Sequence, residues 1–240
     1  MLFAILLIGH LLGDFYLQSA KMAEKKQKSF RILLLHGGIY FFIFILIGTM
    51  FITLEYAALA ALIIALSHFI IDLARTKIDN KAKSATVRFG LFLTDQILHI
   101  GILTLTYYLL HLSSHGSMLY GKCMIYSGFN SIVLYGLLFT VLLEPSAVFI
   151  KKIFSFLFRN DVENSASNNA GSVIGKLERI IMATLLLCGQ YSVMGFVLTA
   201  KSIARFKQLE EKNFAEKYLI GTLTSLAISL IATLIIKSMV

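Results

Sequence analysis

Cysteine is almost absent, with two residues, Cys123 and Cys188, in a chain of 240. That excludes a disulfide framework and a thiolate metal cage, both of which need more sulfur. Charge is scarce too: 15% of residues are charged and 58% hydrophobic, with a mean hydropathy of +0.80. A soluble domain of this length carries more charge and less apolar surface. No G-x-S-x-G elbow, phosphate-cradling glycine loop or H-E-x-x-H pair occurs, so a Ser or Cys nucleophile must be assembled in space. The lone proline, Pro145, and the lack of tryptophan exclude little by themselves.

What fills the chain instead is apolar sequence. Long runs cover residues 1–17, 32–54, 56–74, 89–112, 127–150, 180–200 and 218–236. Each holds roughly the 17 to 25 residues that a spanning helix needs. The expectation is an all-α, polytopic transmembrane bundle of six to seven spanning helices. No cleavable leader is expected, because residues 1–17 lack a basic start and a small-residue cleavage site. The run 127–150 is interrupted at Glu144-Pro145, where proline kinks a helix and frees a carbonyl. The chain divides on this reading into a four-helix half, 1–112, an outer loop, 113–126, and a second helical half, 127–240. Within the last, the polar, small residues 159–172 read as a flexible connection.

The formal charge of +9 is uneven. Lys21, Lys25, Lys26, Lys28 and Arg31 fill the first connection, and Arg75, Lys77, Lys81, Lys83 and Arg88 the third. The intervening turn carries only Glu55, and 113–126 only Lys122. Basic short loops stay cytoplasmic, so the N-terminus is expected outside a bacterial cytoplasmic membrane. The basic balance then reports orientation and contact with membrane lipid, not nucleic acid. One conflict follows. Counting spans puts 199–217 outside, yet it holds Lys201, Arg205, Lys207, Lys212 and Lys217. Either one segment of the second half is re-entrant or this connection lies on the outer surface.

Ionisable residues inside the first four runs are the functional signal. His10/Asp14, His68/Asp72 and Asp95/His99 are each spaced by four, and His36 joins them. An intramembrane ionisable group is expensive and marks function by default. Residues four apart share a helix face. The first and third helices run inward, so their His precedes Asp; the fourth runs outward and the order reverses. The spacing therefore predicts a layer of imidazoles beside a layer of carboxylates, which His36 joins. His and Asp together are ligands for zinc, by preference, or for manganese or iron. Seven candidate ligands suit one ion or two, with Asp14, Asp72 and Asp95 also candidates for the catalytic base. Gln18 and Gln96 sit beside ligands and suit positioning of a water. His111 and His115 fall at the outer end and read as surface residues; Phe41, Phe42 and Phe44 read as lipid-facing or packing residues. In the second half, Arg179, Lys201 and Arg205 near membrane boundaries suit an anionic headgroup.

The motifs H-L-L-G-D-F-Y-L-Q (10–18), S-H-F-I-I-D (67–72) and D-Q-I-L-H (95–99) resemble a bacterial family of polytopic membrane proteins of unknown function, some of them encoded beside SatD-like proteins. The second half is similar to longer members through G-K-L-E-R (175–179), A-K-S-I-A-R-F (200–206) and A-E-K-Y-L-I-G-T-L (215–223). A looser likeness to the YdjM-like membrane-bound metal-dependent hydrolases implies a similar placement of His and Asp on membrane helices. The leading expectation is thus a membrane-embedded metal-dependent hydrolase, in which a divalent metal activates water against an amphiphilic or lipid-linked substrate near the cytoplasmic face. Its rivals are a proton- or cation-coupled transporter using the same His and Asp residues, and a regulatory membrane protein with a structural metal. Oligomeric state is left open by the sequence.

Overall fold

In the computed structural model, residues 1–80, 82, 84–158 and 169–240 are described. Lys81, Lys83 and most of the expected connection 159–172 lie outside them. The described residues form helices and turns, with one isolated bridge between Ile52 and Gly116. The architecture is an all-α helical bundle, in two units, Met1–Leu137 and Leu138–Val240. Five helical segments are long and apolar enough to cross a membrane: Phe30–Phe51, Leu54–Asp79, Ala85–Leu109, Phe129–Leu157 and Lys212–Met239. Two shorter apolar ones are Leu2–Tyr16 and Tyr191–Ala204.

Unit 1 opens with α1 (Leu2–Leu11), which loosens into a π turn over Leu12–Tyr16. The first basic connection is partly helical, α2 (Ala20–Lys25), with the Ser19 hydroxyl accepting from the Met22 N–H at 3.2 Å. Then come α3 (Phe30–Phe51), α4 (Leu54–Asp79) and α5 (Ala85–Leu109). Each long helix buries one stripe at helical spacing. On α3 the stripe is Leu33, His36, Tyr40, Phe44 and Gly48; on α4 it is Ala57, Ala61, Ile64, His68 and Asp72; on α5 it is Phe92, Asp95, His99, Leu103 and Thr106. The alanines let backbones approach, as small residues do between membrane helices; a Cβ on Gly48 would lie 3.1 Å from that of Ala57. The opposite faces carry exposed Phe42, Leu46, Leu62, Leu66 and Ile97. Polar inside and apolar outside is the pattern of a helix bundle solvated by lipid. Phe41 joins that outer face, whereas Phe44 is buried.

The stripes have two zones. Leu2, Leu6, Phe44, Ile52, Ala57, Ala61, Leu103 and Leu112 form a dry apolar core, and the His and Asp positions follow it toward the other end. The α3–α4 turn at the dry end is strapped by the segment after α5. Thr53 N–H donates to His115 O, Ser117 N–H to Phe51 O and the Ser117 hydroxyl to Met50 O. The expected outer loop 113–126 is therefore largely structured. It contains α6 (Met118–Ile125), which starts because the Ser117 side chain caps the Tyr120 N–H. His111 takes a left-handed turn (φ 46°), and His115 stacks on Tyr56. The first residues of α7 (Phe129–Leu142) complete unit 1, with Val133 packed among Ala4 and Ile5.

In unit 2, α7 breaks into α8 (Glu144–Leu157) at Leu143 and Pro145. The freed carbonyls find side chains: the Ser146 hydroxyl donates to Val141 O, and Arg179 donates from Nε to Leu142 O and from Nη2 to Leu143 O. This is how irregular backbone is tolerated where water is scarce. The expected sixth span, 180–200, is not one helix. α9 (Asn169–Leu187) stops, and α10 (Tyr191–Ala204) runs back beside it. Gly189 (φ 73°) makes the stop, with Gln190 N–H on Leu185 O and Gly189 N–H on Leu186 O, the hydrogen-bond pair of a Schellman cap. Hydropathy runs through the turn unbroken, which is why composition reads one span. The hairpin returns Lys201 to the level of Glu178, 2.5 Å away, so the basic stretch 199–217 lies at the same end of unit 2 as that part of α9. A single span would put the two at opposite ends. After a 3₁₀ turn (Phe206–Glu210), α11 (Lys212–Met239) packs on α9 and closes a small core of Met182, Leu186 and Met194.

Replacing Gly189 by alanine should lower the stability of the hairpin by about 1–2 kcal/mol, the cost of a left-handed Cβ. Thermal unfolding of the purified protein in detergent checks this, with an unchanged midpoint as the contrary result.

Candidate metal centre

The buried stripes of unit 1 carry the titratable residues inward, and four helical segments deliver them to one place. His36 Nε2 from α3 and His68 Nε2 from α4 lie 3.0 Å apart. Asp14 Oδ1 is 3.3 Å from each of them, and Asp72 Oδ2 is 3.4 Å from the first and 3.5 Å from the second. His99 Nδ1 lies 3.8 Å from Asp14 Oδ2 and 3.8 Å from Asp95 Oδ2. His68 is stacked between two rings, Tyr40 at 3.7 Å and His99 at 4.2 Å.

Asp14 is central because of the π turn. An added residue per turn re-aims a side chain, and such turns gather at functional sites. The first dyad accordingly does not act as a pair on a plain α face: His10 Nδ1 is hydrogen-bonded with the Tyr40 hydroxyl at 2.8 Å, while Asp14 reaches the histidines of α3, α4 and α5. Gly13 makes room for this, since a Cβ there would sit 2.6 Å from Tyr40 Cδ2.

The cluster is dry and under-satisfied. His10, His36, His68, Asp72, Asp95 and His99 are all buried. Asp14 Oδ1, Asp95 Oδ1, His10 Nε2 and both ring nitrogens of His99 have no hydrogen-bond partner among the described residues. Buried polar atoms in native proteins are usually paired, and the atoms left over here lie among His and Asp side chains. Three groups have the spacing to hold a metal ion: Asp14/His36/His68, His68/Asp72/His99 and Asp14/Asp95/His99. In a tetrahedral zinc shell with bonds of about 2.0–2.2 Å, neighbouring ligand atoms are roughly 3.3–3.6 Å apart. The Asp14–His36–His68 triangle, with edges of 3.3, 3.3 and 3.0 Å, is close to one face of such a shell.

Two cations border the carboxylates. Lys26 Nζ donates to Asp72 Oδ2 at 2.8 Å and to Gln18 Oε1 at 2.9 Å. Arg75 Nη1 donates to Asp95 Oδ2 at 2.5 Å and turns Nε toward Asp79. Gln96 bridges Asp14 and Asp95 through its amide nitrogen. Gln18 and Gln96 thus hold side chains of the cluster in place. Sequence reasoning counted Lys26 and Arg75 only as orientation signals and overlooked Tyr40. One sign was available for Arg75, which follows Asp72 by three residues on the same helix.

The proposed headgroup residues of the second half are placed otherwise. Arg179 is buried on the carbonyls of Leu142 and Leu143, with Ser225 at 3.4 Å. Lys201 is committed to Glu178 and to the Thr222 hydroxyl. Arg205 is bonded to Gln208 Oε1 at 3.2 Å and lies over the Phe214 ring.

Residues 2–125 match a family described as a protein of unknown function, DUF3307. The chain belongs to that family. The matched region contains the whole His/Asp cluster and ends at Ile125, before α7. No curated protein and no solved structure matches the chain.

Gly13→Ala should force Tyr40 off its stack with His68 and destabilise unit 1 by about 1–3 kcal/mol, the usual cost of overpacking. Gly90→Ala, where a Cβ meets nothing within 4 Å, is the control. Thermal unfolding of both variants is the measurement, and equal midpoints would refute the steric argument.

Proposed function

We propose that unit 1 is a metal-dependent hydrolase embedded in the bacterial cytoplasmic membrane, multi-pass, with its N-terminus outside. The observation that carries this reading is the buried Asp14–His36–His68 triangle, with an orphaned carboxylate oxygen facing two imidazole nitrogens. The donor set fits zinc: neutral imidazole nitrogens and carboxylate oxygens at the right mutual spacing. His36, His68 and Asp14 would hold the ion, with Asp72 beside them. A zinc ion bound there supplies Lewis acidity and an acidified water near neutral pH.

The remaining groups have separate tasks. His99 and Asp95, with orphaned atoms of their own, suit a second ion or the acceptance of a proton from the attacking water. Gln96 holds Asp14 and Asp95 together, so the base and the ligand keep their spacing. Tyr40 fixes His10 by a hydrogen bond and His68 by stacking, which orients both rings as metal sites require of their surroundings. The dry core behind the cluster keeps bulk water from the outer side. The substrate on this reading is an ester, amide or phosphoester of an amphiphile, because the site lies among lipid-facing helices. The basic flanks of α2, and of α4 and α5, support a position of the carboxylate end of the cluster near the cytoplasmic face.

Elemental analysis of the purified protein tests the metal. About one zinc per chain is expected in the wild type, a small fraction of that in His68→Ala, and a reduced content in Asp95→Ala. A wild type without stoichiometric metal, or variants that keep it fully, removes the reading. The rival reading is cation-coupled transport through the same His and Asp residues. Cation flux into liposomes that is lost in Asp14→Asn would select that reading.

A further inference from the structure

We infer that Lys26 and Arg75 form the anion-binding end of the site, and that the ligand they select is the phosphate group of an amphiphile entering from the inner leaflet. The inference rests on the metal reading above and adds the substrate class.

Lys26 behaves unlike its neighbours. Lys21, Lys25, Lys28 and Arg31 in the same connection are exposed, as orientation signals should be, whereas Lys26 is 9% exposed. An ammonium is withdrawn from water at a cost of several kcal/mol unless it is well paired. Topology does not need that burial. Lys26 folds inward from the end of α2 to reach Asp72 on α4. Arg75, one turn beyond Asp72, crosses to Asp95 on α5. Two cations from different elements thus reach carboxylates of the cluster.

Their partners are the shared atoms. Asp72 Oδ2 takes the Lys26 ammonium and also faces both His36 and His68. Asp95 Oδ2 takes Arg75 and faces His99. Each cation is therefore one carboxylate away from the ring nitrogens that would bind metal. A metal at those nitrogens competes for the same oxygens and loosens the hold on Lys26 and Arg75.

Charge then decides the ligand. Asp14, Asp72, Asp95 and Asp79, which faces Arg75 Nε at 3.7 Å, against Lys26 and Arg75, with neutral histidines, leave two negative charges. One divalent ion neutralises the set, and a second leaves two positive charges. In a low-dielectric setting an uncompensated positive charge calls for an anion. A phosphate offers several acceptor oxygens, enough for a guanidinium fork, an ammonium and a metal together. At this end of the helices Leu17, Phe30, Leu34, Ile70 and Ile78 are exposed apolar residues, a surface along which an acyl or prenyl tail can lie while its headgroup reaches the cations. In turnover, a water oxygen bonds to phosphorus, the phosphorus–oxygen bond to the lipid alcohol breaks, and that alcohol leaves with the proton from the water.

The test uses the full chain in phosphatidylcholine nanodiscs, with zinc content measured on each sample. Inorganic phosphate is titrated calorimetrically in one arm; in the other, nanodiscs doped with phosphatidic acid are compared with undoped ones for protection against thermal unfolding. Binding in the first arm identifies free phosphate as sufficient, and stabilisation in the second alone identifies the lipid-borne group. In either arm Lys26→Gln and Arg75→Gln should weaken the effect about tenfold or more while zinc content stays at the wild-type level. Where a glutamine variant does not fold, Arg75→Lys, which keeps the charge but loses the fork, should still weaken binding several-fold. Zinc-loaded protein that binds neither probe, or binds it equally in the variants, overturns the phosphate inference and leaves the metal reading standing. A wild type without zinc overturns both.

Discussion

Lipid offers no hydrogen bonds, and this one constraint shapes the chain. Every polar group within a span must find its partner inside the protein. In unit 1 the constraint turns the long helices so that His and Asp share the buried stripes with alanine, tyrosine and part of the leucine and phenylalanine, while the outward faces are apolar. In unit 2 it explains why Arg179 sits on backbone carbonyls: the proline break leaves acceptors that water would satisfy elsewhere. The helix ends obey the same rule through Ser19, Ser117 and the glycine turn at Gly189.

Against that background the cluster around His68 is an exception that asks for a cause. The protein satisfies almost every exotic acceptor it creates, including Val141, Leu142 and Leu143, yet leaves Asp14 Oδ1 and several ring nitrogens bare at one spot. A polar network kept only for packing would close those bonds, because unpaired polar atoms in a dry interior cost about 1–3 kcal/mol each. The proposed metal site is the reading offered for those atoms. Lys26 and Arg75, paired with Asp72 and Asp95, offset part of the negative charge there.

Much of the architecture could be read from residues alone. The apolar runs marked the long helices, and a spacing of four, reversed on α5, put His and Asp on inward faces. Other features rest on properties that periodicity does not carry. The π turn that re-aims Asp14 leaves no mark in a pattern built on 3.6 residues. Tyr40 looks like one more aromatic on an aromatic-rich helix until its ring lies against His68. Gly189 ends a helix within a mostly apolar run, where hydropathy averages over Gly189, Gln190 and Ser192 and backbone conformation reveals the turn. Lys26 was legible as charge but not as position, because a lysine in a basic loop and a lysine folded onto Asp72 are the same letter.

The apolar layer formed by Leu2, Leu6, Phe44, Ile52, Leu103 and Leu112 includes Tyr40 and is bordered by Tyr56, Tyr107 and Tyr120. A transmembrane voltage falls chiefly across the stretch with the lowest permittivity, and each elementary charge moved through the full field of 100 mV is worth about 2.3 kcal/mol. On the proposed metal reading, an ion that reached the histidines from the side of Lys26 and Arg75 would not cross that apolar layer, and its loading would respond only weakly to a transmembrane voltage.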